Sequence, residues 1–569
     1  MKRFLSKHAP LLLTLAFGVA VFLFWSIRYP YVLAYQEQLQ LFLFDGDYFA
    51  ERMAEPGGLA RYIAEFLVQF YNGAAIGALI IALLFMLVQW LTWRLMRAKN
   101  HYLLSFLPAL MLWYAMGDEN VMLTYVVALL MALSVALAWT RWLADSVLWK
   151  KLIAALFAIP VLYWLIGPMV LLVALVMMPW LVATAAVVYA LALILLSAYY
   201  LPFPMTRVML GVSYYRVPAT LPYMLMAIPV VILLLTWFAK RLSQPRKWVR
   251  YAEALVFVIL VLVPQAYGFD TRKYDLIEYD YLVRVGDWNA IVKKAEKQMP
   301  DLPMSVSATN LALAKTNQLG DHAFDFFQRG TEGLLPRFER NFATAQLTGE
   351  IYFNLGLVNT AQRFAFEAME AIPNYNKSAR VVKRLAETNL INGQYEVARK
   401  YLKILEKTVF YRPWAQRTMA MLGNEDAINR HPLYGKLRQY RLHDDFLFSE
   451  RELDKICGQL FIHNQQNQMA AQYLLMMPLL DRNVPRFMNY VQYVQNKIAY
   501  NPRHCQEAIA FAFFQQRQNP PQGVVSPLIL QQMNDFSQMY SAGGKNGSGL
   551  EQFRNTVWYY LAGYALNDK

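Results

Sequence analysis

Long apolar runs separated by short polar clusters fill the chain as far as residue 268, and beyond it apolar positions recur every three to four residues among polar ones. A hydrocarbon core of about 30 Å takes about 20 apolar residues of helix to cross. The runs at 10–27, 74–93, 102–116, 121–139, 151–166, 168–183, 184–200, 222–239 and 251–268 predict nine spans. The stretch Met169–Leu201 carries no charge to mark a turn, yet as one helix it would extend roughly 50 Å, so it is divided in two. That division fixes the sidedness of everything after it.

Basic clusters, "MKRFLSKH", "RLMRAKN" and "KRLSQPRKWVR", stand beside apolar runs in the positive-inside manner. With nine spans they face the cytoplasm together with the N-terminus, and the chain after Gly268 lies outside. The run from Pro10 to Ile27 is long for a signal peptide, and "FLFWSIRYPY" offers no small-residue cleavage site, so the first span is retained. Composition agrees: 57% hydrophobic and only 16% charged residues describe a membrane protein. The net charge of +15 is accounted for by topology, which leaves no role for nucleic acid. The expected location is the inner (cytoplasmic) membrane, multi-pass, with a periplasmic C-terminal domain.

In the polar half, Gly286, Gly320, Gly356 and Gly393 each sit between two helical patterns, spaced 34, 36 and 37 residues apart. Trp288 and Tyr395 follow their glycines, Pro303, Pro336 and Pro373 fall near the ends of the periods, and Ala361 and Ala398 supply a small residue for close helix packing. This stretch resembles the tetratricopeptide repeat, two helices in about 34 residues. It departs from that pattern at Ile291 and Asp325, where the small residue is missing, and in its lengthened third and fourth periods. The resemblance implies a helical solenoid over 269–412 whose concave face takes a protein or peptide partner. Over 413–569 the period fades into degenerate helix pairs, with a break at "NPPQG", a linker at "SAGGKNGSG" and a last helix over 551–565. The linker lacks the order GxxxxGK[ST] of a phosphate-binding loop. Cys457 and Cys505 are the two cysteines, and sequence separation leaves a disulfide between them open. No zinc spacing and no HExxH occur.

The predicted external loops carry the candidate chemistry. Residues 28–72 hold two amphipathic stretches, "VLAYQEQLQLFLF" and "LARYIAEFLVQF", suited to a membrane surface, with Asp45 and Asp47 between them. The next external loop, "AMGDEN", carries Asp118 and Glu119. This layout resembles the GT-C superfamily, polytopic glycosyltransferases that use polyprenyl-linked sugar donors. It departs in having Asp-Gly-Asp where adjacent acids are usual, and in having fewer spans than many members. The resemblance implies that Asp45 or Asp47 acts as the base and that the second acidic pair, Asp118 and Glu119, serves the same site. A divalent metal would be held on the lipid phosphate by a carboxylate. Arg61, Arg207 and Arg216 would then meet that phosphate, and Tyr214 and Tyr215 would stack on a sugar. The whole chain also resembles uncharacterised polytopic membrane proteins of Gram-negative anaerobes with a tetratricopeptide-like tail, which implies no activity. Two other classes compete. A non-catalytic envelope scaffold needs only the membrane anchor and the repeats, whereas an ion-coupled transporter would carry ionisable residues in its spans, and the central parts of these contain none.

Overall fold

A computed structural model describes the chain except residues 1, 98–100, 218–219, 239–246, 374–376, 443–451, 495–496, 498–500, 544–548 and 564–569, and the side chains of 2–7, 247–250 and 543. Among the described residues the fold is all-α, with one isolated antiparallel bridge between Val121 and Tyr215. The chain forms two compact units. One comprises Met1–Asp275 with the short segments Pro373–Ala379 and Glu406–Arg412, and the other holds Leu276–Ile372, Arg380–Leu405 and Pro413–Lys569.

Five helices of the first unit are long and apolar enough to cross a membrane: His8–Arg28, Ala74–Met96, Leu123–Leu143, Leu148–Val176 and Trp180–Tyr200. A sixth is counted if Tyr251–Tyr267 and Thr271–Val285, bent by 56°, make one span, and Tyr102–Met116 and Tyr223–Phe238 are shorter apolar helices. The expected nine is therefore not reached by length and composition. The outward faces remain apolar, with Leu83, Phe157, Val188, Val230 and Ile259 about half exposed. Exposed apolar side chains of that kind on long apolar helices suit lipid surroundings.

The uncharged stretch 169–201 is divided, but at Met177–Pro179 and not at 183/184. The stretch Leu148–Val176 is itself interrupted at Gly167, whose φ of 63° and ψ of −149° lie outside any helix. Two contacts give the directions of the flanking helices. The Tyr163 hydroxyl meets Ser197, and Leu152–Leu156 lines the same apolar pocket as Ala185–Tyr189. Helices Leu148–Ile166 and Trp180–Tyr200 thus run parallel, so the chain between them doubles back through Val170–Val176.

The segment between the first two long helices folds as Pro30–Gln38, Gly46–Met53 and Gly58–Val68. Its polar side faces inward: Gln36, Glu37, Gln38, Gln40, Arg52, Arg61 and Glu65 are buried, while Phe44 and Phe49 are exposed. The polar side chains of the two stretches expected to lie on the membrane are instead packed on protein: Glu65 of the second takes Arg61 and Arg52, and Glu37 of the first accepts from the Tyr411 hydroxyl at 3.2 Å. Gly57, with φ of 86°, brings this segment against Gly167, and its N–H donates to the Trp164 carbonyl at 2.8 Å.

The second unit is built of helix pairs closed by one recurring turn. At 286, 317, 356, 393, 482 and 517 a residue in the left-handed conformation ends a helix. The N–H of the next residue then bonds back to the carbonyl five residues earlier, at 2.7 to 3.1 Å, as in Leu357 to Tyr352 and Asn483 to Pro478. This is the Schellman stop. Gly320 is not one of these positions: Asn317 takes the left-handed turn, and Gly320 is small because a Cβ there would lie 2.6 Å from the Cβ of Pro502. Ala361 and Ala398 are fully buried as expected, and Ile291 is buried where a small residue was expected.

The pairs do not form an open stack. Gln472 links Leu319 and Ala314, His504 accepts from the Phe324 N–H at 3.2 Å, and Asp321 accepts from the Arg503 N–H at 2.8 Å. Helix Pro303–Lys315 therefore packs against Gln468–Leu480, over 150 residues on, and the neighbour-only contacts of a solenoid are not observed. The last helix is two short pieces, Leu550–Phe553 and Val557–Leu561. Cys457 and Cys505 are separate, buried free thiols, not a disulfide.

The turns give a graded prediction. Gly393→Ala pays only the left-handed penalty of about 1–2 kcal/mol, because nothing lies within 4 Å of its new Cβ. Gly356→Ala adds a clash at 2.8 Å with Tyr440 Cβ and should cost about 1–3 kcal/mol more, measured as thermal denaturation of the purified full-length protein. Equal losses would show that the Tyr440 contact carries no weight.

Candidate functional site

Helices Leu107–Met116 and Leu123–Ala138 are joined by a loop that glycine makes possible. A Cβ on Gly117 would stand 1.8 Å from the Gly268 carbonyl oxygen, so only glycine lets the loop lie against the end of helix Lys247–Tyr267. The Tyr274 hydroxyl holds the Gly117 carbonyl at 2.8 Å. On the other side the loop pairs like a strand with 214–216: the Met122 N–H bonds Tyr214 O at 3.0 Å, and the Arg216 N–H bonds Asn120 O at 2.8 Å.

This frame presents Asp118 and Glu119. Asp118 Oδ2 accepts from the Tyr215 hydroxyl at 2.7 Å, and Oδ1 accepts from the Asn120 N–H and side-chain amide at 2.9 and 3.0 Å. Glu119 is buried, takes the same amide at 2.9 Å and pairs with Lys273 Nζ at 2.6 Å. Burial, and the bond it donates to Asp118, push the Tyr215 hydroxyl pKa well up, so it stays a donor. Asp118, Glu119 and Tyr215 line a cavity of about 500 Å³ with Tyr114, Tyr223, Tyr267, Asp270 and Lys273.

The other expected site residues go elsewhere. Asp45 is bound by Lys407 at 2.5 Å, which holds its carboxyl below the usual range, and Asp47 stands exposed on the first turn of Gly46–Met53. Neither lines the cavity. Arg61 is buried against Glu65 at 3.0 Å and Glu55 at 3.1 Å, so it is neutralised and turned away from a phosphate. Arg207 donates to the carbonyls of Val217 and Arg216, and Arg216 donates to Leu39 O at 3.0 Å. Burial pushes the Arg216 guanidinium down to about 10, against the pull of Glu119, Asp118 and Glu65. Tyr214 is buried, with its hydroxyl on Ile166 O, so it pins the turn at Gly167, and it lines an apolar groove with Met169 and Met226 and not the Asp118 cavity. Of the nine residues expected from sequence, the structure brings together Asp118, Glu119 and Tyr215.

Among the described residues no group of three or more His, Cys, Asp or Glu side chains is placed to hold a metal.

Residues 6–563 match a family described as a family of unknown function. The chain belongs to the DUF6057 family. No curated protein and no solved structure matches it. In this DUF6057 chain the residues that sequence reasoning missed are Asp270 and Lys273, in "YGFDTRKYD", and Tyr114, Tyr223 and Tyr267 at helix ends. A signal was present: on the nine-span reading, 267–273 emerges on the same side as "AMGDEN", so its charges belong with that loop.

Proposed function

We propose that the protein holds the polar head of a lipid-linked substrate in the Asp118–Glu119 cavity, on the external side of the inner membrane, with glycosyl transfer from a polyprenyl-phosphate sugar as the reaction class. One observation carries this reading. The polar cavity adjoins an apolar groove of about 200 Å³ lined by Met169, Leu172, Met209 and Met226, and Pro222 and Leu225 line both. A polar chamber that shares a wall with an apolar groove suits an amphiphile.

A carboxylate offers about four acceptor sites and Asp118 uses three, which leaves one for an acceptor hydroxyl. In the transfer, the hydroxyl oxygen attacks the anomeric carbon, the carbon–oxygen bond to phosphate breaks, and the polyprenyl phosphate leaves with the electron pair. The proton passes to Asp118. Met226→Trp should fill the groove and weaken binding of a polyprenyl-phosphate hexose by the purified protein about tenfold or more, read by native mass spectrometry. No binding by the unaltered protein, or equal binding by the variant, contradicts the reading. A second reading, a non-catalytic envelope scaffold, is favoured by the Asp45–Lys407 pair, which gives an expected catalytic group a structural partner.

The sidedness rests on nine traverses, supported by the parallel run of Leu148–Ile166 and Trp180–Tyr200 with the return between them. A reporter active only outside the cytoplasm should work when fused after Gly268 and fail when fused near Lys99. The reverse pattern would place the cavity in the cytoplasm.

A further inference from the structure

A second cavity, of about 550 Å³, lies in the membrane unit where successive helices end. Its wall takes Arg97 from just after Ala74–Met96, Trp139 and Thr140 from the end of Leu123–Leu143, Lys151 from the first turn of Leu148–Ile166, Trp180 from the start of Trp180–Tyr200, and Trp237 from the end of Tyr223–Phe238. Among the described residues no carboxylate lines it.

The two cations are held in place by neutral groups. Lys151 is buried and donates from Nζ to the Ala144 carbonyl at 2.7 Å, and Arg97 donates from Nη2 to the Thr140 carbonyl at 2.5 Å. Neither pairs with a carboxylate among the described residues. Each carbonyl takes one N–H, so both cations keep donors to give. Two uncompensated cations on one cavity wall, one of them buried, call for an anion. The three indoles around them are residues that sit at the level of lipid headgroups.

We propose that this cavity binds a phosphate-bearing anion, with Arg97 and Lys151 as its ligands and the tryptophans against the apolar part of the same molecule. The site is distinct from the Asp118 cavity and does not depend on the reading of that cavity. Its chemistry is a phosphomonoester or phosphodiester, and it has two possible sources: the headgroup of an anionic lipid, or a soluble phosphate.

Native mass spectrometry of the full-length protein in detergent, titrated with phosphatidylglycerol and in parallel with phosphatidylcholine, tests this. Phosphatidylglycerol should be retained at least about tenfold more strongly, and the double variant Arg97→Ala, Lys151→Ala should lose that preference. Lys150→Ala, an exposed neighbour outside the cavity, should keep it. If millimolar inorganic phosphate raises the thermal transition of the unaltered protein but not of the double variant, and no lipid preference exists, the site stands and its source is soluble phosphate. Equal retention of the two lipids with no effect of phosphate overturns the proposal. Should the double variant fail to fold, Arg97→Ala alone, at an exposed position, must still weaken binding several-fold, and an unchanged preference there is equally fatal.

Discussion

Glu65→Ala should destabilise the protein by about 3–5 kcal/mol, the cost of taking away a buried carboxylate that two buried arginines share. Glu65 is fully buried between two arginines, with Arg52 Nε at 2.7 Å and Arg61 Nε at 3.0 Å, and it accepts the Tyr48 hydroxyl at 2.5 Å. Arg52 and Arg61 are themselves buried, so removing the carboxylate takes the Tyr48 hydroxyl's acceptor and leaves each guanidinium only its more exposed partner, Glu51 at 3.0 Å for Arg52 and Glu55 at 3.1 Å for Arg61. Burial raises the Glu65 carboxyl, but Arg61, Arg52 and the hydrogen bonds outweigh it and hold the pKa below the usual range. A depressed carboxyl contributes stability above its unfolded pKa of about 4.3, and that contribution is lost as pH falls through the folded value. Thermal unfolding of the purified protein should therefore show a loss of stability in acid below about pH 4, and Glu65→Ala should flatten that limb. Added salt should leave the effect nearly unchanged, because buried pairs are screened little. A variant as stable as the parent would show that the cluster does not hold Pro30–Gln38, Gly46–Met53 and Gly58–Val68 to the bundle.

That cluster also shows where sequence reasoning stops. The i,i+4 spacing of Arg61 and Glu65 is visible in "LARYIAEFLVQF", but amphipathicity alone does not say whether the polar side meets water or another polar side. Here it meets Arg52, and a segment expected on the lipid surface is packed face-down instead. The same limit removed Arg61, Arg207 and Arg216 from the expected phosphate site, since a sequence places an arginine on a loop without showing the carbonyls or carboxylates that claim it.

The helix turns were legible where glycine makes them and hidden where it does not. Gly286, Gly356 and Gly393 announce a left-handed stop because glycine pays no Cβ penalty there. Asn317, Arg482 and Arg517 adopt the same conformation with a side chain, at a cost that the hydrogen-bonded turn offsets, and composition gives no sign of it. Gly320 misled for the opposite reason: its smallness serves the Pro502 contact. The packing of Pro303–Lys315 on Gln468–Leu480 is a contact of high sequence separation, to which a local period is blind.

The pair Asp118–Glu119 was legible from topology alone, and its separation from Asp45 and Asp47 was not. The measurement that bears most directly on the cavity is the rescue of a deletion strain, by growth or envelope glycan, with Asp118→Asn beside Asp47→Asn at equal levels of inserted protein. The substitution at 118 preserves volume but takes away the charge and turns one of the two acceptor oxygens into a donor, and it removes the group placed to receive the hydroxyl proton. Loss of a general base lowers rate by about 10²–10⁴-fold. Asp47 is exposed and lines no part of the cavity, so its substitution should stay within about 0.5 kcal/mol and rescue fully. The account predicts no rescue by Asp118→Asn and full rescue by Asp47→Asn; full rescue by Asp118→Asn would contradict it.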